Sequence, residues 1–139
     1  MIRQATPADA EVVHQLTAEL GYDVSLAVVT GQLETLCADT SQQILIAEHM
    51  ALPAGWIQFG RCDRVGSEPF IEITGLVVCK RLRRLGIATA LVEQAMTYAA
   101  AQNMKLRVRC NSERSEAHQF YRNLGFSTAK QKEVFEICR

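Results

Sequence analysis

A short basic stretch with one glycine, Arg83-Arg84-Leu85-Gly86-Ile87-Ala88, precedes the strongest helical pattern in the chain. The first amides of a helix have no intrahelical acceptor, and the helix dipole adds partial positive charge at that end. Gly86 has no Cβ, so ligand oxygens can approach its backbone, while Arg83 and Arg84 can donate charge-assisted hydrogen bonds. The stretch therefore predicts a site for a phosphate or pyrophosphate.

A second interpretation of the same stretch is a solvated basic loop in front of an ordinary helix. One glycine and several arginines are common in loops, so the stretch by itself leaves both interpretations open. Its spacing excludes two phosphate-binding patterns, the Walker A loop GxxxxGK(S/T) and the dinucleotide-binding GxGxxG.

Glu72 is a candidate general base. It lies between Ile71 and Ile73 in an otherwise apolar strand, where a carboxylate is costly unless it is paired or used in chemistry. A glutamate on an exposed strand face is an equally ordinary interpretation, and a chain of waters could serve as the base instead.

The composition predicts a single domain over residues 1–139 with a hydrophobic core, since 48% of its residues are hydrophobic. Lys plus Arg equal Asp plus Glu at 15 each, which argues against a general nucleic-acid binder. No apolar stretch resembles a signal peptide or a membrane span, so we expect a soluble, cytoplasmic protein that binds no membrane.

The cysteines and histidines indicate neither disulfides nor a metal site. The five cysteines are odd in number, widely spaced and contain no CxxC pair, so they read as reduced, mostly buried thiols. The three histidines lack metal-ligand spacing. The sequence therefore predicts no metal.

The elements that must position these residues alternate along the chain. Thr6, Pro7 and Asp9 are typical of a helix start, and Ser25 is typical of a second one after a stop at Gly21. Hydrophobic periodicity predicts strands over 2–5, 44–47, 55–60 (after a turn near Leu52-Pro53), 70–78, 106–110 and 134–138, and helices over 6–20, 25–36, 85–102 and 115–124. This order predicts an α/β fold with a mixed, mostly antiparallel sheet and one parallel pair in the C-terminal half.

The chain resembles the GNAT superfamily of N-acetyltransferases in three places. Leu76-Val77-Val78 followed by Arg83 to Ala88 is similar to the family signature Gln/Arg-x-x-Gly-x-Gly/Ala. Asn111, Ala117 and the run Phe120-Tyr121-Arg122-Asn123-Leu124-Gly125-Phe126 resemble its second hallmark, an Asn that ends a strand followed by a helix and FYxxxGF. The opening, Ile2 to Asp9, resembles the usual first strand and helix cap.

The resemblance implies a twisted central sheet flanked by helices, with a parallel strand pair splayed at an acetyl-CoA site. It implies that acetyl-CoA is the co-substrate and that Leu76, Val77 and Val78 pair with its pantetheine arm. The pyrophosphate would be held by Arg83, Arg84, Leu85, Gly86, Ile87, Ala88 and Thr89, and further contacts would come from Asn111, Ala117 and Tyr121. Leu85 departs from the family pattern, and its side chain could narrow the entrance.

The resemblance also implies the chemistry, a direct transfer of an acetyl group to a primary amine of a small molecule or peptide. Tyr121 matches the tyrosine that protonates the departing thiolate, although it could also be a core aromatic residue. Glu72 corresponds to a catalytic glutamate of some members, and a backbone N–H near Val78 would polarise the thioester carbonyl.

Two features beyond the catalytic residues stay open in the sequence. The acceptor pocket is expected from residues 21–30, the strand with Trp56 and the C-terminal segment, and the polar stretch 127–133 leaves an edge that a second subunit could cover, which predicts a homodimer. The alternative function is a non-catalytic acyl-CoA-binding sensor or regulatory module.

Overall fold

A computed structural model of the chain describes residues 1–109, 115–129 and 132–138. Contacts divide the chain into two units, Met1–Arg109 and Cys110–Arg139. The first unit contains β1 (Ile2–Gln4), α1 (Ala10–Glu19), α2 (Leu26–Cys37), β2 (Gln42–His49), β3 (Leu52–Cys62), β4 (Phe70–Val78), α3 (Ile87–Ala101) and β5 (Leu106–Val108). The second unit contains α4 (Ser115–Asn123).

The described strands form one five-stranded sheet in the order β1-β2-β3-β4-β5. The first four strands pair antiparallel, and β4 and β5 pair parallel. The predicted mixed, mostly antiparallel sheet with one parallel pair is therefore confirmed. The parallel pairing runs only from Ile71–Leu106 to Ile73–Val108, while β4 continues to Val78. Beyond Ile73, β4 is therefore no longer paired with β5.

Helices cover both faces of the sheet. On one face α1 and α2 bury a cluster that includes Val13 and Leu33 against Ile44 and Ile46 of β2. On the opposite face α3 packs on the middle strands, and the rings of Phe59 and Tyr98 meet edge to face at 5.4 Å. The alternation of side chains along each strand assigns residues to the two faces.

The N-terminal turn is fixed by an ion pair. Asp9 is only 8% exposed, accepts hydrogen bonds from Arg3 at 2.8 and 2.9 Å, and accepts another from the Thr6 backbone N–H at 2.8 Å. The Arg3 guanidinium holds the pKa of the Asp9 carboxyl below its ordinary value. The predicted link between Thr6 and Asp9 is thus present, although Pro7–Asp9 form a 3-10 turn and the α-helix begins at Ala10.

Other helix boundaries follow local chemistry. Ser25 caps α2 as predicted, with its Oγ accepting from the Val28 N–H at 3.2 Å. The helix predicted from residue 85 begins instead at Ile87, because Arg84 and Gly86 have left-handed backbone angles that a helix cannot include.

Several predicted strand boundaries were wrong: β2 and β3 are longer than the predicted 44–47 and 55–60, and two other differences concern a turn and the end of β5. The turn expected near Leu52-Pro53 lies at Met50 and Ala51, both of which have positive φ, and Leu52 already pairs with His49. A two-residue hairpin with left-handed angles usually carries Asn or Gly, so Met50-Ala51 gave no turn signal. At the other boundary, β5 ends at Val108 with Arg109 outside it, and Cys110 lies outside the described residues.

The strand predicted over 134–138 is also absent, since none of residues 132–138 is in a strand. Val134, Phe135 and Ile137 are at least 79% exposed. Alternating apolar residues supply strand propensity, but a strand also needs a neighbour for its backbone hydrogen bonds. Within the part of the chain that the structure describes, no helix is long and apolar enough to cross a membrane.

We expect Asp9→Asn to lower the free energy of unfolding by about 2 kcal/mol at neutral pH, because charge-assisted hydrogen bonds to Arg3 are lost. Folding lowers the pKa of Asp9, so its contribution is complete above the unfolded-state pKa of about 4 and disappears as the pH falls through the folded-state value. Urea unfolding, followed by the fluorescence of the single tryptophan, should therefore give a difference between the two proteins that shrinks in acid.

The matched control is Asp63→Asn, which breaks the exposed pair between Arg61 and Asp63 and should change stability little. Equal losses in the two variants, or a loss from Asp9→Asn that does not depend on pH, would contradict the assigned role of the buried pair.

Candidate functional site

The connection from β4 to α3 is a loop with a defined backbone path. The chain leaves β4 at Val78, passes the buried Cys79, and makes a 3-10 turn over Lys80–Leu82. Arg84 and Gly86 then take φ values of 69° and 80°, and α3 begins at the next residue. The two left-handed residues turn the loop so that it leads directly into the helix.

The start of α3 presents backbone donors to an open space. Ala90 makes the first intrahelical hydrogen bond, to the Gly86 carbonyl at 2.9 Å, so the amides of residues 87–89 have no intrahelical acceptor. A Cβ built on Gly86 would meet no atom within 4 Å. The amides, the positive end of a 15-residue helix and the exposed Arg83 and Arg84 together suit a phosphate group.

The glycine in this loop is required by the backbone angle. A Cβ at position 86 would meet no protein atom within 4 Å, so steric crowding does not explain the glycine. The positive φ does select it, and the empty space leaves room for a ligand. The neighbouring Leu85 is 56% exposed.

A β-bulge changes which way the backbone of β4 faces. The β3–β4 register shifts so that Gln58 pairs with Gly75 and Phe59 with Ile73, which leaves Thr74 as the extra residue. Before the bulge the Ile71 N–H donates toward β5, to Lys105 at 2.9 Å. After it the Cys79 N–H donates toward β3, to Ala54 at 2.7 Å.

In a regular strand, residues an even number apart direct their N–H groups to the same side, so the opposite directions at Ile71 and Cys79 show the effect of the bulge. It follows that Leu76 and Val78, which alternate with Cys79, direct their backbone groups to the side where β5 is no longer paired. That edge can accept an extended ligand, and the Val78 N–H can polarise a carbonyl placed there.

The indole ring of Trp56 packs against β4 at Gly75, next to the bulge. Its Nε1 donates to Thr17 Oγ1 at 3.1 Å, and the Thr17 hydroxyl donates to the Val13 carbonyl at 2.6 Å. A Cβ built on Gly75 would lie 2.6 Å from Cζ3 and 2.7 Å from Cη2 of the indole. Trp56 therefore lies across β4 only because residue 75 has no side chain.

Glu72 lies close to the point where the parallel strands separate. Its side chain is 15% exposed, and its Oε2 forms an ion pair with Arg109 Nε at 3.2 Å. Arg107 is its register partner in β5. Sequence reasoning singled out Glu72 but gave Arg107 and Arg109 no role, although their alternation with Leu106 and Val108 placed them on one face of β5.

Tyr121, in the second unit, lies in the last turn of α4, and this helix ends in a Schellman motif. The Phe126 N–H donates to the Tyr121 carbonyl at 3.1 Å and the Gly125 N–H to the Arg122 carbonyl at 3.0 Å, with Gly125 at φ 100°. The Tyr121 ring contacts Phe126 with centroids 5.5 Å apart. The residues FYxxxGF thus encode a helix stop that also packs the tyrosine ring, and the predicted stop at Gly125 is confirmed.

Two other candidate residues belong to this second part of the chain. Ala117 lies in the first turn of α4 and is half-buried. Asn111 lies outside the described residues. Within the first unit, Glu72 and the Leu76–Val78 edge both lie on β4, and the loop around Gly86 connects this strand to α3.

Comparisons with known proteins agree with this architecture. Residues 13–126 match the family model described as the acetyltransferase (GNAT) family. The aminoglycoside antibiotic 6'-N-acetyltransferase AAC(6')-IG from Acinetobacter haemolyticus is 20% identical, with a TM-score of 0.85 over 100% of this chain and 99% of that one. AAC(6')-Iy in complex with the bisubstrate analog CoA-S-monomethyl-acetylneamine is 17% identical, with a TM-score of 0.86 over 100% and 98% of the two chains.

A third similar structure is a transcriptional regulator from Bacillus halodurans C-125, 20% identical with a TM-score of 0.83 over 99% of each chain. No curated protein matches the chain at a significant level. Since these structures share few identical residues with the chain, they show its fold, and the predicted GNAT fold is confirmed.

We expect Gly75→Ala to displace the Trp56 ring, because the new methyl group would overlap the indole. Overpacking of this kind costs about 1–3 kcal/mol, and moving the ring should also change the tryptophan emission maximum. The control is Gly31→Ala in α2, where a Cβ meets nothing within 4 Å and alanine favours the helix. Unchanged stability and emission in Gly75→Ala would contradict the close packing of Trp56 on β4.

Proposed function

The chain belongs to the GNAT family of acetyltransferases, and we propose that it transfers an acetyl group from acetyl-CoA directly to a primary amine of a small molecule or peptide. The observation that carries the proposal is the loop from β4 to α3. It combines free helix amides, a left-handed glycine with open space around it, and exposed arginines.

Acetyl-CoA fits this loop through its pyrophosphate. The proposed contacts are the amides and side chains of Arg83, Arg84, Leu85, Gly86, Ile87, Ala88 and Thr89. The extended pantetheine arm has amide groups that can pair with the free backbone edge of β4, for which we propose Leu76, Val77 and Val78. Asn111, Ala117 and Tyr121 are proposed as further contacts.

The proposed reaction needs a neutral amine and a protonated leaving group. Glu72 accepts, through a chain of waters, the proton that the amine releases as its nitrogen bonds to the thioester carbonyl carbon, because six residues of strand separate Glu72 from Val78. The Val78 N–H stabilises the charge that develops on the carbonyl oxygen. As the carbon–sulfur bond breaks, the Tyr121 hydroxyl gives a proton to the thiolate.

The alternative is a sensor that binds acyl-CoA without turnover. One observation favours it, namely that the Glu72 carboxylate is already engaged in an ion pair with Arg109. The sensor and the enzyme share the CoA site and differ in whether Glu72 and Tyr121 affect turnover.

Domain organisation and assembly are part of the proposal. We propose one N-acetyltransferase domain over 1–139, which is supported by a family match that includes residues of both units. We also propose a homodimer, because β5 is a three-residue strand at the edge of the described sheet. Light scattering on the purified protein tests the assembly.

We expect Gly86→Glu to weaken CoA binding at least tenfold, roughly 1.4 kcal/mol, since it places a carboxylate where the pyrophosphate binds. The matched control is Gly66→Glu, because Gly66 also has a positive φ and no atom within 4 Å of its Cβ position but lies in the β3–β4 loop. Calorimetric titration with CoA measures both. No CoA binding by the folded wild-type protein, or equal affinities in the two variants, would overturn the proposed site.

We expect Tyr121→Phe and Glu72→Gln to lower kcat by about a hundredfold or more, the usual contribution of a proton-transfer group, while CoA affinity stays within about twofold. The assay is release of the CoA thiol from acetyl-CoA with a panel of amines. Phe126→Leu is the control for Tyr121, since it disturbs the ring contact and keeps the hydroxyl. Full CoA binding with no turnover in the wild-type protein would favour the sensor.

A further inference from the structure

We propose that the acceptor is an amine that also carries a carboxylate, and that Arg64, Arg107 and Arg109 bind this carboxylate beside Glu72. This inference rests on the proposed acetyl transfer and specifies its substrate class. It starts from a cluster of cations in the first unit that the transfer chemistry does not use.

Two of the cations converge on one aromatic ring. The guanidinium carbon of Arg107 lies 4.2 Å from the Phe70 ring centroid, and that of Arg64 lies 5.5 Å from it. Phe70 itself is only 2% exposed, so its position is fixed. Cation–π contacts therefore hold both guanidinium groups at this one ring.

The third cation joins the same face of the sheet. Phe70 and Glu72 are two residues apart in β4 and so share a face, and Arg107 is the register partner of Glu72. Arg109 reaches the same carboxylate with its Nε. Arg109 therefore pairs with the Glu72 carboxylate, while Arg107 and Arg64 lie at the neighbouring Phe70 ring, and among the described residues neither of these two forms an ion pair.

This imbalance favours a second anion. A guanidinium group presents a planar set of donors that matches a carboxylate in a bidentate arrangement, and a bound carboxylate would relieve the repulsion between Arg64 and Arg107. A polycationic acceptor would meet the opposite situation, because each additional ammonium group would be repelled by Arg64 and Arg107, for which the described residues provide no ion pair.

The cluster is also in the right place for an acceptor. Val108 pairs with Ile73 at the last rung of the parallel ladder, and Arg109 is the next residue, so Arg109 lies where β4 and β5 begin to separate, while Arg107 lies within the ladder opposite Glu72. Glu72, the proposed base, is part of it. An amine whose carboxylate is held by Arg107 has its nitrogen near Glu72, and the free edge of β4 begins just beyond Ile73 on the same strand.

The experiment compares pairs of amines that differ only in the acidic group. An α-amino acid and its α-amide are assayed as acceptors with acetyl-CoA, together with the polyamine spermidine and the aminoglycoside kanamycin. We expect kcat/KM to be at least tenfold higher for the acid than for its amide, and lowest for the two polycations. A preference for the amide or for a polycation overturns the inference and leaves the proposed acetyl transfer intact.

The variants Arg64→Gln and Arg107→Gln should each reduce the preference for the acid about tenfold, through KM, without changing CoA affinity. Arg107→Lys keeps the charge but not the planar donors, so it should recover part of the preference. Arg61→Gln is the matched control, since Arg61 lies on the opposite face of β3 and pairs with Asp63. A preference that survives both Arg64→Gln and Arg107→Gln overturns the assignment.

Direct binding keeps the inference testable if no amine is acetylated. Calorimetric titration of the acid and the amide into the protein saturated with CoA, or into the protein alone if CoA does not bind, should show tighter binding of the acid that Arg64→Gln weakens. Absence of this difference overturns the inference. Failure of CoA to bind overturns the proposed function, which is a separate result of the same titrations.

Discussion

The single extra residue in β4 is the constraint on which the rest of the site depends. A strand paired on both edges would have used all of its backbone groups within the sheet. Here the pairing with β5 ends at Ile73, and the bulge at Thr74 then directs the N–H groups of Leu76 and Val78 to the vacated side. Because β3 remains paired with β4 on both sides of the bulge, the strand stays in the sheet while its other edge becomes available.

The same break in pairing organises the surroundings of the edge. Gly75, next to the bulge, admits the indole of Trp56, which Thr17 of α1 fixes by a hydrogen bond. The end of β5 leaves Arg109 free of the ladder and able to reach Glu72. The position of the Trp56 indole and the ion pair between Arg109 and Glu72 therefore both lie close to the point where the strand pairing changes.

At its C-terminal end β4 leads into the loop that precedes α3. Arg84 and Gly86 in this loop have left-handed backbone angles. The amides of the first turn of α3, which follows directly, have no intrahelical acceptors. Strand edge and helix start are consecutive in sequence, so one short segment provides both the extended and the anion-binding part of the proposed acetyl-CoA site. This continuity explains why a small domain suffices for a long ligand.

The sequence by itself determined the elements whose signals are local. Phe70–Val78 has the predicted bounds, Ser25 and Gly125 start and stop helices as expected, and the motifs around Gly86 and Tyr121 indicated the family that the comparison confirmed. These features depend on propensity, capping and φ preference, which act over a few residues.

Only the tertiary structure decided how distant residues meet. The bulge depends on the register between β3 and β4, and the partners of Glu72 and Phe70 come from β5 and from the β3–β4 loop. The expected strand over 134–138 and the turn at Leu52-Pro53 were wrong for a related reason. Strand pairing is a contact between segments, and side-chain pattern within one segment cannot specify which neighbour, if any, will supply the hydrogen bonds.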